Sequence, residues 1–172
     1  NVRFNSCKFW YPNNERTKKM TFKLSKRSLE RLEGVDEKMV SIVKYAIGIT
    51  QIDFGIAHLG GRRTHDQQLE LVNKGVSQTM KSKHLEGTAV DVVAYLGSKI
   101  CWELNVYDDI ADAMKEAAQD IGVHLKWGAA WHINSINDYD GTMADAMNEY
   151  IDLRRSQGRR PFIDAPHFEL SV

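Results

Sequence analysis

Two short segments, far apart along the chain, limit what it can fold into. The first is Ser82-Lys83-His84-Leu85-Glu86-Gly87-Thr88-Ala89-Val90-Asp91, where a histidine and an aspartate stand seven residues apart with a glycine between them. The second is Asp164-Ala165-Pro166-His167-Phe168-Glu169-Leu170, close to the last residue. Two imidazoles and one carboxylate are the nitrogen and oxygen set that holds a catalytic Zn²⁺ and leaves a fourth position for water. With His84, Asp91 and His167 as that set, the end of the chain has to return to its middle. Asp164, three residues before the last histidine, is a candidate proton acceptor for such a water. Its structural alternative is to cap the turn before Pro166.

Local patterning supports the placement. Ala89, Asp91 and Val93 alternate with Val90, Val92 and Ala94, which predicts a strand with Asp91 on the Ala89 and Val93 side. Gly87 permits the tight turn that swings His84, read as part of a Ser77–Leu85 loop, back beside Asp91. In the final strand His167 and Glu169 share one face, while Phe168 and Leu170 share the core-seeking face. Glu169 can orient a ligand from behind or simply lie on the surface.

The remaining elements are read the same way. Apolar residues from Val35 to Ile47 recur at helical spacing, and Ile49–Gly55 reads as a strand before Gly60-Gly61. Thr64 or His65 starts a helix that carries Leu69 and Val72 inward and stops at Gly75. Asp108 or Asp109 caps a helix with Ile110, Ala113, Met114, Ala117 and Ile121 on one stripe, ending at Gly122. Val123–Trp127 and Phe168–Leu170 are further strands, and Met143–Arg155 a further helix. Helices and strands without repeated βαβ units predict an α+β fold with a small, mainly antiparallel sheet flanked by helices.

Composition narrows the function classes. The 172 residues are long enough to bury a core, and 42% hydrophobic with 27% charged residues is ordinary for a globular chain. Twenty-three basic residues balance 23 acidic ones, so no global field points to nucleic acid or anionic membrane. Cys7 and Cys101 form no metal-binding pair and read as reduced thiols. No run suggests a transmembrane helix or a signal peptide. Residues 1–19, with Phe9 and Trp10, read either as an extension before Met20 or as an arm that packs on the fold; residues 20–172 read as one domain.

Ser82, His84, Gly87, Ala89 and Asp91, spelling SxHxxGxAxD, followed by the distal D-x-P-H-F-E-L, resemble the VanY-type peptidases. These comprise zinc D-Ala-D-Ala carboxypeptidases and phage L-alanyl-D-glutamate endolysins. Gly61-Arg62-Arg63-Thr64 with Gln68 resembles that family's G-x-R-[ST]…Q element, and Trp127-Gly128-Ala129-Ala130-Trp131 its WGG-x-W turn. The resemblance implies a Hedgehog/D-Ala-D-Ala peptidase-like fold and one Zn²⁺ per chain on His84, Asp91 and His167. It makes Asp164 the catalytic acid–base group and puts Arg63 on substrate or on the developing oxyanion. Ser82, Gln68, Trp127 and Trp131 are implied near the substrate. Two positions depart from the pattern, Ala129 and Ala130, and residues 133–161 stand where compact relatives have a short loop.

The implied activity is hydrolysis of the L-alanyl-D-glutamate bond of peptidoglycan by a monomeric endolysin. It is made without a signal peptide in the host cytoplasm and meets the wall after a separate membrane lesion. The rival readings are D-Ala-D-Ala cleavage within the family and a non-catalytic, Hedgehog-type zinc binding domain. The bland readings stand beside these. Arg63 can pair with Asp66, and Trp127 and Trp131 can be core aromatics. His58, His65, His124 and His132 read as ordinary histidines. Asn134–Gly141 is oxygen-rich, but aligning Gly141 with the EF-hand glycine puts Ile136 and Met147 at ligand positions, so it reads as a polar loop. The Lys81–Lys83 and Arg154–Arg160 clusters read as solvated faces that can also hold an anionic wall.

Overall fold

The computed structural model describes residues 21–171. The expectations for residues 1–19, and Cys7 with them, fall outside that range. Helix α1 (Lys26–Arg31) leads into α2 (Glu37–Ile49), capped by Asp36, whose carboxylate accepts from the Lys38 amide. Strand β1 (Asp53–Ile56) precedes α3 (His65–Asn73), α4 (Lys83–Glu86) and the long strand β2 (Ala89–Leu96). Then come β3 (Lys99–Cys101), α5 (Leu104–Ile121), β4 (Leu125–Trp127), a 3₁₀ turn at Ile136–Asp138, α6 (Met143–Ser156) and β5 (His167–Leu170). The sheet runs β1-β2-β5-β4 with β3 also on β2, and every pairing is antiparallel. The α+β architecture expected from the sequence is the one observed.

The two-residue period of the strands separates the core from the site. On β2, Val90, Val92 and Ala94 are fully buried in the hydrophobic cluster formed with α2 and α5. In register with Val90 lies Phe168, and opposite Phe168 lies Trp127, so these residues continue the core face across three strands. The opposite face carries Ala89 beside Glu169 and Asp91 beside His167. Trp127 is therefore core and not cleft: its indole stacks on Phe168 at 6.3 Å, and its Nε1–H donates to Ala165 O at 2.8 Å. That corrects its expected place among the substrate-facing residues.

Three further expectations are revised. The long helix starts at Leu104, not at Asp108 or Asp109, because Val106 and Tyr107 extend the buried stripe upstream. Asp108 lies inside that helix, where burial, with Asp109 and Asp112 beside it, pushes its carboxyl up to about 6. On α3 the inward residue is Gln68, fully buried, while Leu69 is 47% exposed. The helix turns its polar edge inward because the Gln68 amide finds partners in Arg63, Ser77 and Thr79. His84 sits on a short helix rather than in a loop; Ser82 caps it, and Gly87 at φ 76° ends it. The segment 133–161 packs Ile136, Met143 and Ala146 fully into the core cluster with α5.

The Gly60-Gly61 turn is wedged between the site and α1. A Cβ at Gly61 would stand 1.9 Å from Arg31 O, a backbone atom that cannot swing aside. Gly61→Ala is expected to displace the turn and to destabilise the fold by roughly 2–4 kcal/mol, within the upper range for single substitutions. Urea denaturation checks this, and a midpoint equal to wild type would show that the turn yields freely.

Candidate active site

Asp91 and His167 are cross-strand partners, so their side chains stand together on the exposed side of the sheet. His84 comes to them from the start of α4, a short helix that the Gly87 turn joins to β2. His84 Nε2 lies 3.1 Å from Asp91 Oδ1 and 3.3 Å from His167 Nδ1, and His167 Nδ1 lies 2.9 Å from the same Asp91 oxygen. Among the described residues this is the one cluster of His, Cys, Asp or Glu with ligand atoms close enough to share a metal ion.

The tautomers follow from the outer partners. His84 Nδ1 lies 2.9 Å from Gly61 O, an atom that can only accept, so the proton is on Nδ1 and the Nε2 lone pair faces inward. His167 Nε2 donates to Glu169 Oε2 at 3.2 Å, which leaves the Nδ1 lone pair facing inward too. With both imidazoles neutral, three lone-pair atoms converge, an arrangement that a metal ion relieves and that, without one, a proton on His167 Nδ1 shared with Asp91 relieves. Ligands about 2.0–2.1 Å from a tetrahedral zinc stand about 3.3 Å from one another, and the three observed separations fit that span. Each ligand is also held from behind: His84 by Gly61 O, His167 by Glu169, and Asp91 through Oδ2 by Arg63 at 2.5 Å. Sequence reasoning singled out Glu169, but a backbone carbonyl leaves no sequence signal beyond the glycine that carries it.

The cluster lies in a cleft of about 690 Å³. Asp164, Trp131, Ser82 and Arg63 line it with the three ligands, whereas Gln68 stands behind Arg63 and Trp127 lies on the other face of the sheet. The Asp164 backbone is pinned by the turn after β4: its amide donates to Gly128 O, and its carbonyl accepts from the His167 amide. Burial, reinforced by the charge of Asp91, raises the Asp164 pKa above the usual carboxylate value. Trp131 tilts over His167 at 5.7 Å and stacks on Phe162, a cleft residue that the sequence reading passed over because it lies within the segment between motifs. Arg63 pairs with Asp91, not with Asp66. Of the other histidines, His58 lines the cleft, and His124 and His132 are engaged with Ser135 and Tyr150. No helix among the described residues is long and apolar enough to cross a membrane.

A family model described as phage L-alanyl-D-glutamate peptidase matches residues 20–171. The L-alanyl-D-glutamate peptidase of Escherichia phage T5 is 32% identical over 124 residues, covering 70% of this chain and 88% of that one. The L-alanyl-D-glutamate peptidase of Listeria phage A118 is 38% identical over 69 residues, 40% of this chain and 24% of the relative. The crystal structure of Serratia marcescens L-Ala D-Glu endopeptidase ChiX superposes with a TM-score of 0.63 at 30% identity, covering 87% of this chain and 90% of that one.

Charge at the site makes the metal-free protein sensitive to pH. Burial alone would lower the His167 pKa, but its hydrogen bonds to Asp91 and Glu169 outweigh burial and raise it from 6.5 to about 9. Burial would raise Asp91, yet both histidines hold it well below the usual carboxylate range. A raised folded pKa stabilises fully below the unfolded value and stops doing so as pH passes the folded one. Metal-free protein is therefore expected to lose up to ~3 kcal/mol of stability between pH 6.5 and 9. Zinc displaces that proton, so stabilisation by zinc should grow over the same interval. Thermal melts in chelator and in excess zinc across that range check both slopes, and parallel curves would contradict the assignment.

Proposed function

The chain belongs to the family of phage L-alanyl-D-glutamate peptidases, and from that membership and its site we propose that it is a zinc endopeptidase of peptidoglycan stem peptides. Its bond is the one between L-alanine and D-glutamate, and its role that of an endolysin acting on the wall as a monomer. It reaches the wall from the host cytoplasm after the membrane is permeabilised. The observation that carries the chemistry is the convergence of three inward lone pairs, from His84, Asp91 and His167, in a cleft that also holds Asp164.

Zinc held by those three residues would lower the pKa of a water toward about 7 and polarise the scissile carbonyl. The protein's own part is proton traffic and placement. Asp164, whose pKa burial raises above that of an ordinary carboxylate, is a stronger base than a solvated one. It takes the proton of the attacking water and passes it to the departing amine. Glu169 and Gly61 O keep both imidazoles in the tautomers that face the ion. Trp131 and Phe162 give the cleft an apolar wall for the peptide backbone to lie against.

Purified sacculi are the deciding substrate. Digestion is expected to release new amino termini on glutamate; free D-alanine instead would assign the carboxypeptidase reaction, and no release at all would favour a binding domain. Asp164→Asn keeps size and loses the base, so it should retain zinc while losing roughly 10²–10⁴-fold in turnover. A near-normal rate in the folded, zinc-loaded variant would return Asp164 to a structural role.

A further inference from the structure

Arg63 is built into the site more deeply than a substrate contact needs to be. Its Nε donates to Leu59 O at 2.6 Å, one Nη donates to Gln68 Oε1 at 3.2 Å, and the other donates to Asp91 Oδ2 at 2.5 Å. Its backbone amide donates to His84 O at 3.0 Å. One residue therefore ties the segment carrying the first ligand to the carboxylate of the second. The acceptors are themselves fixed. Leu59 is the one non-glycine residue at positive φ among those described, at 57°, and that backbone turn presents its carbonyl. Gln68 is fully buried and anchored by its amide nitrogen to Ser77 Oγ and Thr79 O, each at 2.8 Å.

The consequence falls on Asp91. A carboxylate can meet a metal with one oxygen or with both. Here Oδ1 faces the two imidazole lone pairs, and Oδ2 is held by the guanidinium on the other side. We propose that Arg63 is a positioning residue that restricts Asp91 to one metal-facing oxygen, and so keeps the fourth coordination position free for water and substrate. The fork of the guanidinium matters more than its charge. A charge alone would repel a divalent ion, whereas the bonds to Leu59 O and Gln68 Oε1 fix the guanidinium plane and its third N–H bond then holds Oδ2 of the carboxylate. This inference rests on the metal reading above, but not on the identity of the substrate.

Arg63→Lys keeps the positive charge and removes the fork, so electrostatic repulsion of the metal is held nearly constant. The first readout is zinc affinity by competition with a chelator. Loss of such outer partners typically weakens metal binding 10–100-fold, and a loss within about that range is expected. The second readout is the visible spectrum of the Co²⁺-loaded protein. A carboxylate released to bind through both oxygens raises the coordination number, and the intense four-coordinate absorption should weaken. Gln68→Met, which removes the acceptor that steadies Arg63 but leaves its charge, should shift both readouts in the same direction and by less. This second variant carries the test if Arg63→Lys does not fold.

If folded variants keep wild-type zinc affinity and the wild-type Co²⁺ spectrum, the proposal is overturned, and a loss confined to kcat/KM would reassign Arg63 to substrate. A wild-type protein that takes up neither metal would overturn the metal reading as well. Because these titrations contain no peptidoglycan, failure to cleave sacculi would leave them interpretable.

Discussion

Everything at the site depends on the register between β2 and β5. That pairing sets Asp91 directly across from His167 and, one row on, Ala89 across from Glu169. A slip of β5 by one residue would turn His167 into the core and bring Phe168 to the opposite face, because the side-chain period of a strand is two. The same register that buries the row of Val90, Phe168 and Trp127 therefore holds the imidazole against the carboxylate. Apolar burial on one face, worth a few kcal/mol for each large side chain, is what fixes the polar geometry on the other. Function here is stabilised from behind.

Much of this was legible in the residues. The alternation of Ala89–Ala94 and of His167–Leu170 marks which side chains share a face, and residue chemistry singles out His84, Asp91 and His167, which the fold brings together. The helix spacing gave α2 and the C-terminal end of α5 at Gly122, where φ is 75°. What was not legible has physical causes. Trp127 opens a turn motif that suggests a cleft, but its place opposite Phe168 is decided by strand pairing, which is a long-range fact. Gln68 displaces Leu69 from the interior because three polar partners arrive from other segments, and no local periodicity records them.

The outer partners show a gradient in how visible such support is. Glu169 lies two residues from the histidine it orients, so strand alternation alone places it. Gly61 acts through its carbonyl, and only the absence of room for a side chain, with Arg31 O where a Cβ would stand, marks the position in sequence. Arg63 lies 28 residues from the carboxylate it holds, a separation from which no spacing rule could infer contact. Motif resemblance flags the arginine without saying which atom it meets. The geometry gives that atom, Oδ2 of Asp91.

A second oxygen-rich region, the loop from Asn134 to Gly141, clarifies why one polar cluster calls for a metal and another does not. Lys115 on α5 reaches into that loop, where its ammonium donates to Tyr139 O at 2.5 Å and to Gly141 O at 2.8 Å. The carboxamide of Asn137 bridges backward, accepting from the Leu125 amide and donating to Val123 O. The carbonyls that would attract an external cation already have an internal one, and the side-chain oxygen that could join them is committed to β4 and the residues before it. At His84, Asp91 and His167 the situation is reversed: every outward-facing proton is committed to a protein acceptor, and nothing the chain supplies lies between the inward lone pairs. A polar cluster whose partners come from the chain is a structural joint. One whose inward lone pairs converge on one another can hold a cation, and the difference lies in where the partners come from rather than in how many oxygens and nitrogens are near.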